Sequence, residues 1–207
     1  MRPIELKIKG INSYREEQVI NFNQLTSQGF FGIFGPTGSG KSTILDAITL
    51  ALYAKLPRGS KNFININETS ASVSFYFSIT TTETKEYLVE RSFRYPGKDR
   101  SSTARNTTAR LSLLSDIDTE VLADKPTDVT RSCIDLLGLS SDDFLRPVVL
   151  PQGQFSDFLK LKNQERRGML QRIFHLERYG IELTRKVAAA RQRMDIEVSS
   201  SEGQLQA

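Results

Sequence analysis

Glycine, lysine and serine recur in one short stretch at a spacing that suits phosphate binding. Gly35 is followed, after four residues, by Gly40, Lys41 and Ser42, which is the spacing of a P-loop. In such a loop the backbone N–H groups surround phosphate oxygens, the lysine contacts the β- and γ-phosphates, and the serine hydroxyl binds Mg²⁺. The stretch therefore predicts a site for a nucleoside triphosphate and Mg²⁺. Its residues are Gly35, Pro36, Thr37, Gly38, Ser39, Gly40, Lys41, Ser42 and Thr43.

A P-loop needs a strand before it and a helix after it, and the flanking residues predict both. The four apolar residues before the loop predict a short strand buried on both faces: Phe30, Phe31, Ile33 and Phe34. The apolar residues after the loop predict one buried face of a helix: Ile44, Leu45, Ile48 and Leu52.

A second polar break follows an apolar run near residue 150. Val148 to Leu150 predicts a strand, which Pro151 ends, and Gln152 stands directly after that strand. In α/β nucleotide sites, ligands lie beyond the carboxyl ends of strands. A neutral amide oxygen there can bind Mg²⁺. We expect Gln152 to join Ser42 as a metal ligand; an ordinary polar turn is the alternative interpretation.

The remaining patterns predict an α/β domain over residues 1–162 and a helical extension over residues 163–207. Alternating apolar residues predict strands near residues 4–8, 19–22, 73–79, 87–91, 111–114 and 120–122, and helical spacing covers 130–139, with Gly138 as its C-cap. In the extension, Leu183, Val187, Ala190 and Met194 have the a/d spacing of a coiled coil. A single amphipathic surface helix would give the same count.

Composition narrows the possible classes. The chain has one cysteine and one histidine among 207 residues, which excludes a disulfide framework and a site built from several cysteines or histidines. Cys133 fits a small core residue of a helix, and a lone cysteine suits a reducing cytosol. No apolar run reaches about 20 residues, so no membrane span is expected. A net charge of +4 permits a polyanionic partner without requiring one.

Half of an ATPase site is missing from the pattern. After Ser42, no apolar strand ends in an acidic pair that would hold Mg²⁺ and orient water, and no LSGG-like signature motif occurs. We therefore expect no catalytic residue within this chain, whose sequence holds half of an ATPase active site.

Four stretches carry a resemblance to a known family. INSY from Ile11, FGPTGSGKSTILDAI from Phe34, VLPQGQFSDFL from Val149 and IFHLERYG from Ile173 resemble the SbcC family. Its members are bacterial double-strand-break-repair ATPases of the SMC-like group, with a split head. The resemblance implies an α/β P-loop NTPase of ABC/SMC-like type. This chain would be its N-terminal lobe, with mixed β-sheets around the P-loop helix, ending in the root of a coiled coil.

The resemblance also assigns residues. It makes Gln152 the Q-loop glutamine and brings Asn12 and Ser13 to the terminal phosphates. It places the loop Lys61 to Asn67 near the base and ribose, and it identifies the nucleotide as ATP.

The partners implied by the resemblance are the chain's own C-terminal ATPase lobe, a second SbcC head that dimerises on ATP, the SbcD nuclease at the coiled-coil root, and double-stranded DNA. The complex would be an ATP-dependent exonuclease and endonuclease acting on DNA ends and hairpins, in the bacterial cytoplasm at the nucleoid. This lobe alone is expected to bind ATP without hydrolysing it.

Basic residues offer a surface for DNA, and solvated positions without a partner are the alternative. One set lies in a polar excursion: Arg94, Lys98, Arg100, Arg105 and Arg110. The other lies in the helical extension: Arg166, Arg167, Arg172, Arg178, Arg185, Lys186, Arg191 and Arg193.

Three other functions remain open: an ABC-type transport or signalling ATPase, a structural coiled-coil adaptor, and a cohesin-like or RecN-like relative.

Overall fold

The computed structural model describes residues 1–26, 29–56, 62–97, 100, 102–115, 118–145, 162–173 and 181–205. The chain divides into two compact units, Met1–Pro151 and Gln152–Ala207. In the described residues, no helix combines the length and the apolar character that a membrane span requires.

A six-stranded antiparallel sheet forms the first unit, in the order β2-β1-β3-β4-β5-β6. Its strands are β1 (Arg2–Lys9), β2 (Gln18–Asn21), β3 (Ser70–Thr80), β4 (Thr84–Arg94), β5 (Arg105–Leu114) and β6 (Thr119–Ala123). All six predicted strands of the alternating type are confirmed, except that Phe22, predicted at the end of the second, instead begins a helix. Along β3 and β4 every second side chain is largely buried, as a period of two requires. The edge strands β2 and β6 bury no side chain.

Helices of the first unit cover one face of this sheet. The first unit contains α1 (Phe22–Leu25), α2 (Lys41–Tyr53), α3 (Pro126–Leu137) and α4 (Ser141–Phe144), and the second unit contains α5 (Asn163–Ile173) and α6 (Ile181–Leu205). Gly138 ends α3 at φ 66°, as predicted. The positive φ explains the glycine, since a side chain there would strain the backbone.

The core lies between the sheet and the helices α2 and α3. From the sheet, Leu6, Phe75 and Val89 are fully buried, and from the helices Ala51 and Cys133 are fully buried. The prediction that Cys133 is a small core residue is confirmed. Its burial raises the pKa of the thiol to about 11, although the Arg91 guanidinium nearby acts in the opposite direction.

The largest fully buried side chain among the described residues is an arginine. Arg91, on β4, donates from Nε to the Ala51 carbonyl at 2.6 Å and from Nη2 to the Leu52 carbonyl at 3.1 Å. It also donates to the Pro126 carbonyl and to the Thr130 hydroxyl, at 3.3 and 3.0 Å. Arg91 thus joins the last turn of α2 to the first turn of α3, where α2 carries the negative end of its dipole.

Two expectations differ from the structure. Ile44 and Leu52 are buried on α2, whereas Leu45 is 40 % exposed. The buried face of α2 is therefore narrower than the face predicted from the sequence. The prediction of a buried strand before the P-loop is wrong. Residues 30–36 are all described, and they form no strand. The run is apolar enough for a buried strand, but no strand among the described residues pairs with it. A strand forms only where its backbone can hydrogen-bond to a neighbouring strand.

Candidate nucleotide-binding site

The P-loop leads into α2 through a left-handed glycine. Gly40 has φ 91° and is the N-cap of α2, and Gly38 has φ 86°. Both conformations are costly for residues with a side chain, so the backbone itself demands these glycines. A Cβ on Gly40 would also lie 2.8 Å from the Ser13 hydroxyl and 2.9 Å from the Tyr14 ring. The φ angle and the close packing therefore both require glycine at position 40.

The lysine of the motif lies against its own loop. Lys41 Nζ donates to the carbonyls of Gly35 and Pro36 at 2.8 and 2.7 Å. These contacts draw the start of α2 and the start of the loop together around the ammonium. Ser42, the next residue of α2, is exposed and carries the hydroxyl of the motif.

The turn after β1 lies beside the P-loop, as the resemblance implied. Asn12 Nδ2 donates to the Thr43 hydroxyl at 3.3 Å, and Tyr14 Oη donates to the Gly40 carbonyl at 3.4 Å. Burial raises the pKa of Tyr14 further above neutral pH, where the phenol is already protonated and can donate. The structure brings Asn12, Ser13 and the P-loop together; whether they contact a terminal phosphate stays a prediction.

Two residues of this neighbourhood were not predicted. Tyr14 packs on Gly40, and Asn65 Nδ2 donates to the Asn12 carbonyl at 2.5 Å. Tyr14 ends the INSY stretch, so its position next to Asn12 and Ser13 was a usable signal. Asn65 had a weaker signal, because only its place within the predicted base-and-ribose loop pointed to the site.

The segment that enters the P-loop is apolar and exposed. Phe30 is 79 % exposed, Phe34 is 93 % exposed, and Phe31 and Ile33 are each 40 % exposed. Phe31 has a ring contact with Phe22, with ring centroids 5.9 Å apart. Large apolar side chains clustered at such exposures indicate a surface that another element covers.

Some predicted site residues cannot be placed. Gln152, the strand Val148 to Leu150 and Lys61 lie outside the described residues. Of the predicted base-and-ribose loop, residues 62–67 are described, and Ile66 in it is 80 % exposed.

The residues present suit a magnesium nucleotide. In the described part of the chain, no side chain caps the start of α2, so its dipole end stays available for a phosphate. The loop residues 35–39 are exposed, as is Ser42. A cation in Lys41, a hydroxyl in Ser42 and the start of α2 form a set that suits phosphate and Mg²⁺.

The predicted basic surface is partly placed. Arg94 and Arg105 are exposed and lie directly opposite each other in the β4–β5 ladder. Arg100 instead lies against a neighbouring loop, donating to the carbonyls of Ile66 and Glu68. Lys98 and Arg178 lie outside the described residues.

The sequence matches a known domain family and several named proteins. A family model described as an AAA domain matches residues 5–206. The chain is 49 % identical over 207 residues to the SbcC component of nuclease SbcCD from Clostridium acetobutylicum, covering 98 % of this chain and 18 % of that protein. It is 51 % identical over 190 residues to the Bacillus subtilis protein of that name, covering 90 % and 16 %.

Two further proteins are more distant. A probable DNA double-strand break repair Rad50 ATPase of Aquifex aeolicus is 34 % identical over 194 residues, covering 91 % of this chain and 18 % of that protein. The SMC head domain from Thermotoga maritima is 32 % identical, covers 56 % of this chain and 39 % of that chain, and has a TM-score of 0.36.

The chain spans less than a fifth of the length of these curated relatives. The predicted α/β P-loop fold of SMC-like type and the resemblance to SbcC are both confirmed by the family model and the relatives. The chain therefore belongs to the AAA domain family, with the sequence of an SbcC-like N-terminal lobe.

Proposed function

We propose that the chain is the ATP-binding N-terminal half of a split-head DNA-repair ATPase. With its C-terminal half it dimerises on ATP and regulates the SbcD nuclease at DNA ends and hairpins. The observation that carries this proposal is the exposed apolar segment Phe30 to Phe34, directly before an intact P-loop. A complete ATPase head would bury such a segment. The exposure of the segment in this chain therefore supports a second lobe that covers it.

ATP is held by residues of this chain with separate roles. The loop from Gly35 to Ser39 and the first N–H groups of α2 bind phosphate oxygens, and Lys41 exchanges its carbonyl partners for the β- and γ-phosphates. Mg²⁺, when bound, neutralises phosphate charge, and Ser42 and Gln152 are the side chains proposed to hold it. Asn12 and Ser13 border the terminal phosphates.

A single substitution tests the nucleotide proposal. Lys41→Ala removes a charge-assisted contact worth about 1.5–3 kcal/mol, so affinity for a labelled ATP analogue falls by about ten- to a hundredfold. Lys55→Ala is the matched control, because Lys55 lies just beyond the other end of α2 in an exposed pair with Asp142 at 2.7 Å. Equal affinity in wild type and Lys41→Ala overturns the proposal.

The metal role of Gln152 has its own test. Gln152→Ala should leave nucleotide affinity without Mg²⁺ unchanged and reduce the gain in affinity that Mg²⁺ gives. Titration of the ATP analogue with Mg²⁺ and with EDTA separates these two quantities. An unchanged Mg²⁺ response removes Gln152 from the site.

Double-stranded DNA is the second proposed ligand. Arg94 and Arg105 are a directly opposed like-charge pair, which destabilises an antiparallel ladder unless anions lie nearby. DNA phosphates are such anions, and they are recognised without sequence preference. Replacing both arginines with alanine should weaken duplex binding and reduce the slope of log affinity against log salt by about 2.

The control for the DNA test is Lys85→Ala, since Lys85 is exposed near the opposite end of β4. Fluorescence anisotropy with a labelled duplex, from low to moderate salt, gives both slopes. A slope that is the same in wild type and in the double variant contradicts the role of the pair.

The coiled-coil root and the nuclease partner form the third part of the proposal. On α6, Leu183, Val187 and Met194 are 49 %, 59 % and 67 % exposed, which supports a partner helix along their a/d seam. The relatives named as components of nuclease SbcCD support SbcD as the partner at this root. A RecN-like ATPase without a nuclease is the alternative, and co-purification with SbcD after adding the second lobe separates the two.

A further inference from the structure

The loop of residues 62–69 connects Arg100, in the polar excursion, to the P-loop through a series of hydrogen bonds. The backbone N–H of Asn12 donates to the Phe63 carbonyl at 2.7 Å, and the backbone N–H of Asn65 donates to the Gly10 carbonyl at 2.8 Å. The Asn65 side chain then donates to the Asn12 carbonyl, and the Asn12 side chain donates to the Thr43 hydroxyl. The loop of residues 62–69 therefore holds the Asn12 backbone, from which the side chain reaches Thr43.

Asn12 needs this support because its backbone is in the left-handed region. Its φ is 48°, a conformation that asparagine adopts more readily than most residues but that still costs more free energy than it does for glycine. Such a conformation persists only when surrounding contacts impose it. Here those contacts are the bond that the Asn12 N–H donates to the Phe63 carbonyl and the bond that the Asn65 side chain donates to the Asn12 carbonyl.

Arg100 holds the far side of the same loop. Its Nη2 donates to the Ile66 carbonyl at 2.6 Å and to the Glu68 carbonyl at 2.7 Å, and its guanidinium lies 5.6 Å from the Tyr95 ring centroid. Arg15 contacts the loop as well, with Nε 2.9 Å from the Glu68 carboxylate. Hydrogen bonds from a charged donor are the stronger kind, so Arg100 is a main anchor of the loop.

We propose that Arg100 is a positioning residue of the nucleotide site. It does not touch the P-loop; it acts through Asn65 and Asn12, which reaches Thr43 in the first turn of α2. The inference rests on the proposed ATP site and adds a residue that lies outside the P-loop, in the excursion first considered for DNA. Removing the guanidinium frees the loop, and Asn12 then loses the contacts that orient it.

The test compares three variants by affinity for a fluorescent ATP analogue with Mg²⁺. Arg100→Met keeps the apolar stem and loses both hydrogen bonds, so affinity falls by about three- to tenfold. Arg100→Lys retains a cationic donor and recovers most of the affinity. Lys85→Met, the control, loses the same charge from an exposed site of β4 and leaves affinity unchanged. Thermal unfolding of each variant is measured in parallel.

A double-mutant cycle separates positioning from general destabilisation. If Arg100 acts through Asn12, combining Arg100→Met with Asn12→Ala weakens binding no more than Asn12→Ala alone. Additive losses, or full affinity in Arg100→Met, overturn the proposal. If Arg100→Met does not fold, Asn65→Ala tests the same connection one bond nearer to Asn12, and full affinity there overturns it equally.

The outcomes also distinguish this inference from the ATP proposal. Nucleotide binding that is abolished by Lys41→Ala but unaffected by Arg100→Met leaves the ATP site in place and removes only Arg100. Binding that is insensitive to Lys41→Ala removes the ATP site, and the inference with it.

Discussion

At the scale of single residues, two cationic side chains lie at opposite ends of α2 and have different roles. Lys41 lies at the start, exposed enough to exchange its carbonyl partners for phosphate. Arg91 lies at the end, fully buried, with carbonyls and a hydroxyl as its described acceptors. The first residue is suited to binding and the second to holding the helix that carries the binding loop.

Arg91→Met should therefore destabilise the chain strongly. The substitution leaves the carbonyls of Ala51 and Leu52 without a donor in the core, and unsatisfied buried acceptors together with imperfect packing cost about 2–4 kcal/mol. Urea unfolding of the variant measures this. Arg131→Met, at an exposed position of α3, should change the free energy of unfolding by less than about 0.5 kcal/mol. Similar values for both variants would contradict the role given to Arg91.

Cys133 predicts a pH dependence of stability. Its pKa in the folded chain is raised to about 11 from an ordinary value of 9.0, so the folded chain keeps a proton that the unfolded chain releases. The stabilisation is complete below pH 9 and is lost as pH rises towards 11, with a slope of at most about 1.4 kcal/mol per pH unit. Cys133→Ala should flatten that part of the unfolding free-energy curve. A curve with the same slope in both proteins contradicts the prediction.

At the scale of elements, the segment before the P-loop has the sequence of a strand but pairs with no strand among the described residues. Phe34 is 93 % exposed while Phe75, on β3, is fully buried. Phe34→Ser should change the unfolding free energy by less than about 0.5 kcal/mol, whereas Phe75→Ser should cost about 3–5 kcal/mol. Phe34→Ser should also weaken association with the second lobe, measured by titration calorimetry. A costly Phe34→Ser in the isolated chain would show that the segment is already packed.

The same contrast explains how far the sequence predicts the fold. Alternation along Val73 to Ile79 specifies a strand together with the face it buries, because one face is covered by α2 and α3. The run from Phe30 to Phe34 specifies apolar character without saying which element covers it. The apolar pattern of one segment does not show which element packs against it, when that element is not among the described residues.

The candidate site divides in a similar way. Gly40 and Lys41 were predictable because the P-loop spacing encodes a local geometry of loop and helix. The contacts of Asn65 and Arg100 were not, since each joins positions more than 30 apart in the chain. Side-chain to carbonyl bonds between distant loops leave no periodic signal in the sequence.

At the scale of the whole molecule, we propose that nucleotide binding and turnover depend on different parts of a split head. Phosphoryl transfer to water requires a positioned nucleophile and stabilisation of charge on the γ-phosphate, in addition to a loop that holds the phosphates. This chain supplies the loop and a proposed pair of metal ligands. Its sequence has no acidic pair at the end of an apolar strand and no signature motif.

We therefore expect the chain to bind ATP and to hydrolyse it at background rate until its C-terminal lobe is added. Loss of one positioning or electrostatic element typically costs about a hundred- to a thousandfold in rate, and several are absent here together. Phosphate release from the chain alone, from the second lobe alone and from the mixture measures this. Lys41→Ala in the mixture is the control, because activity that depends on both lobes must also depend on this lysine. Turnover by this chain alone, at ordinary enzyme rates and sensitive to Lys41→Ala, would contradict the split-head interpretation, since a complete active site would then lie within these 207 residues.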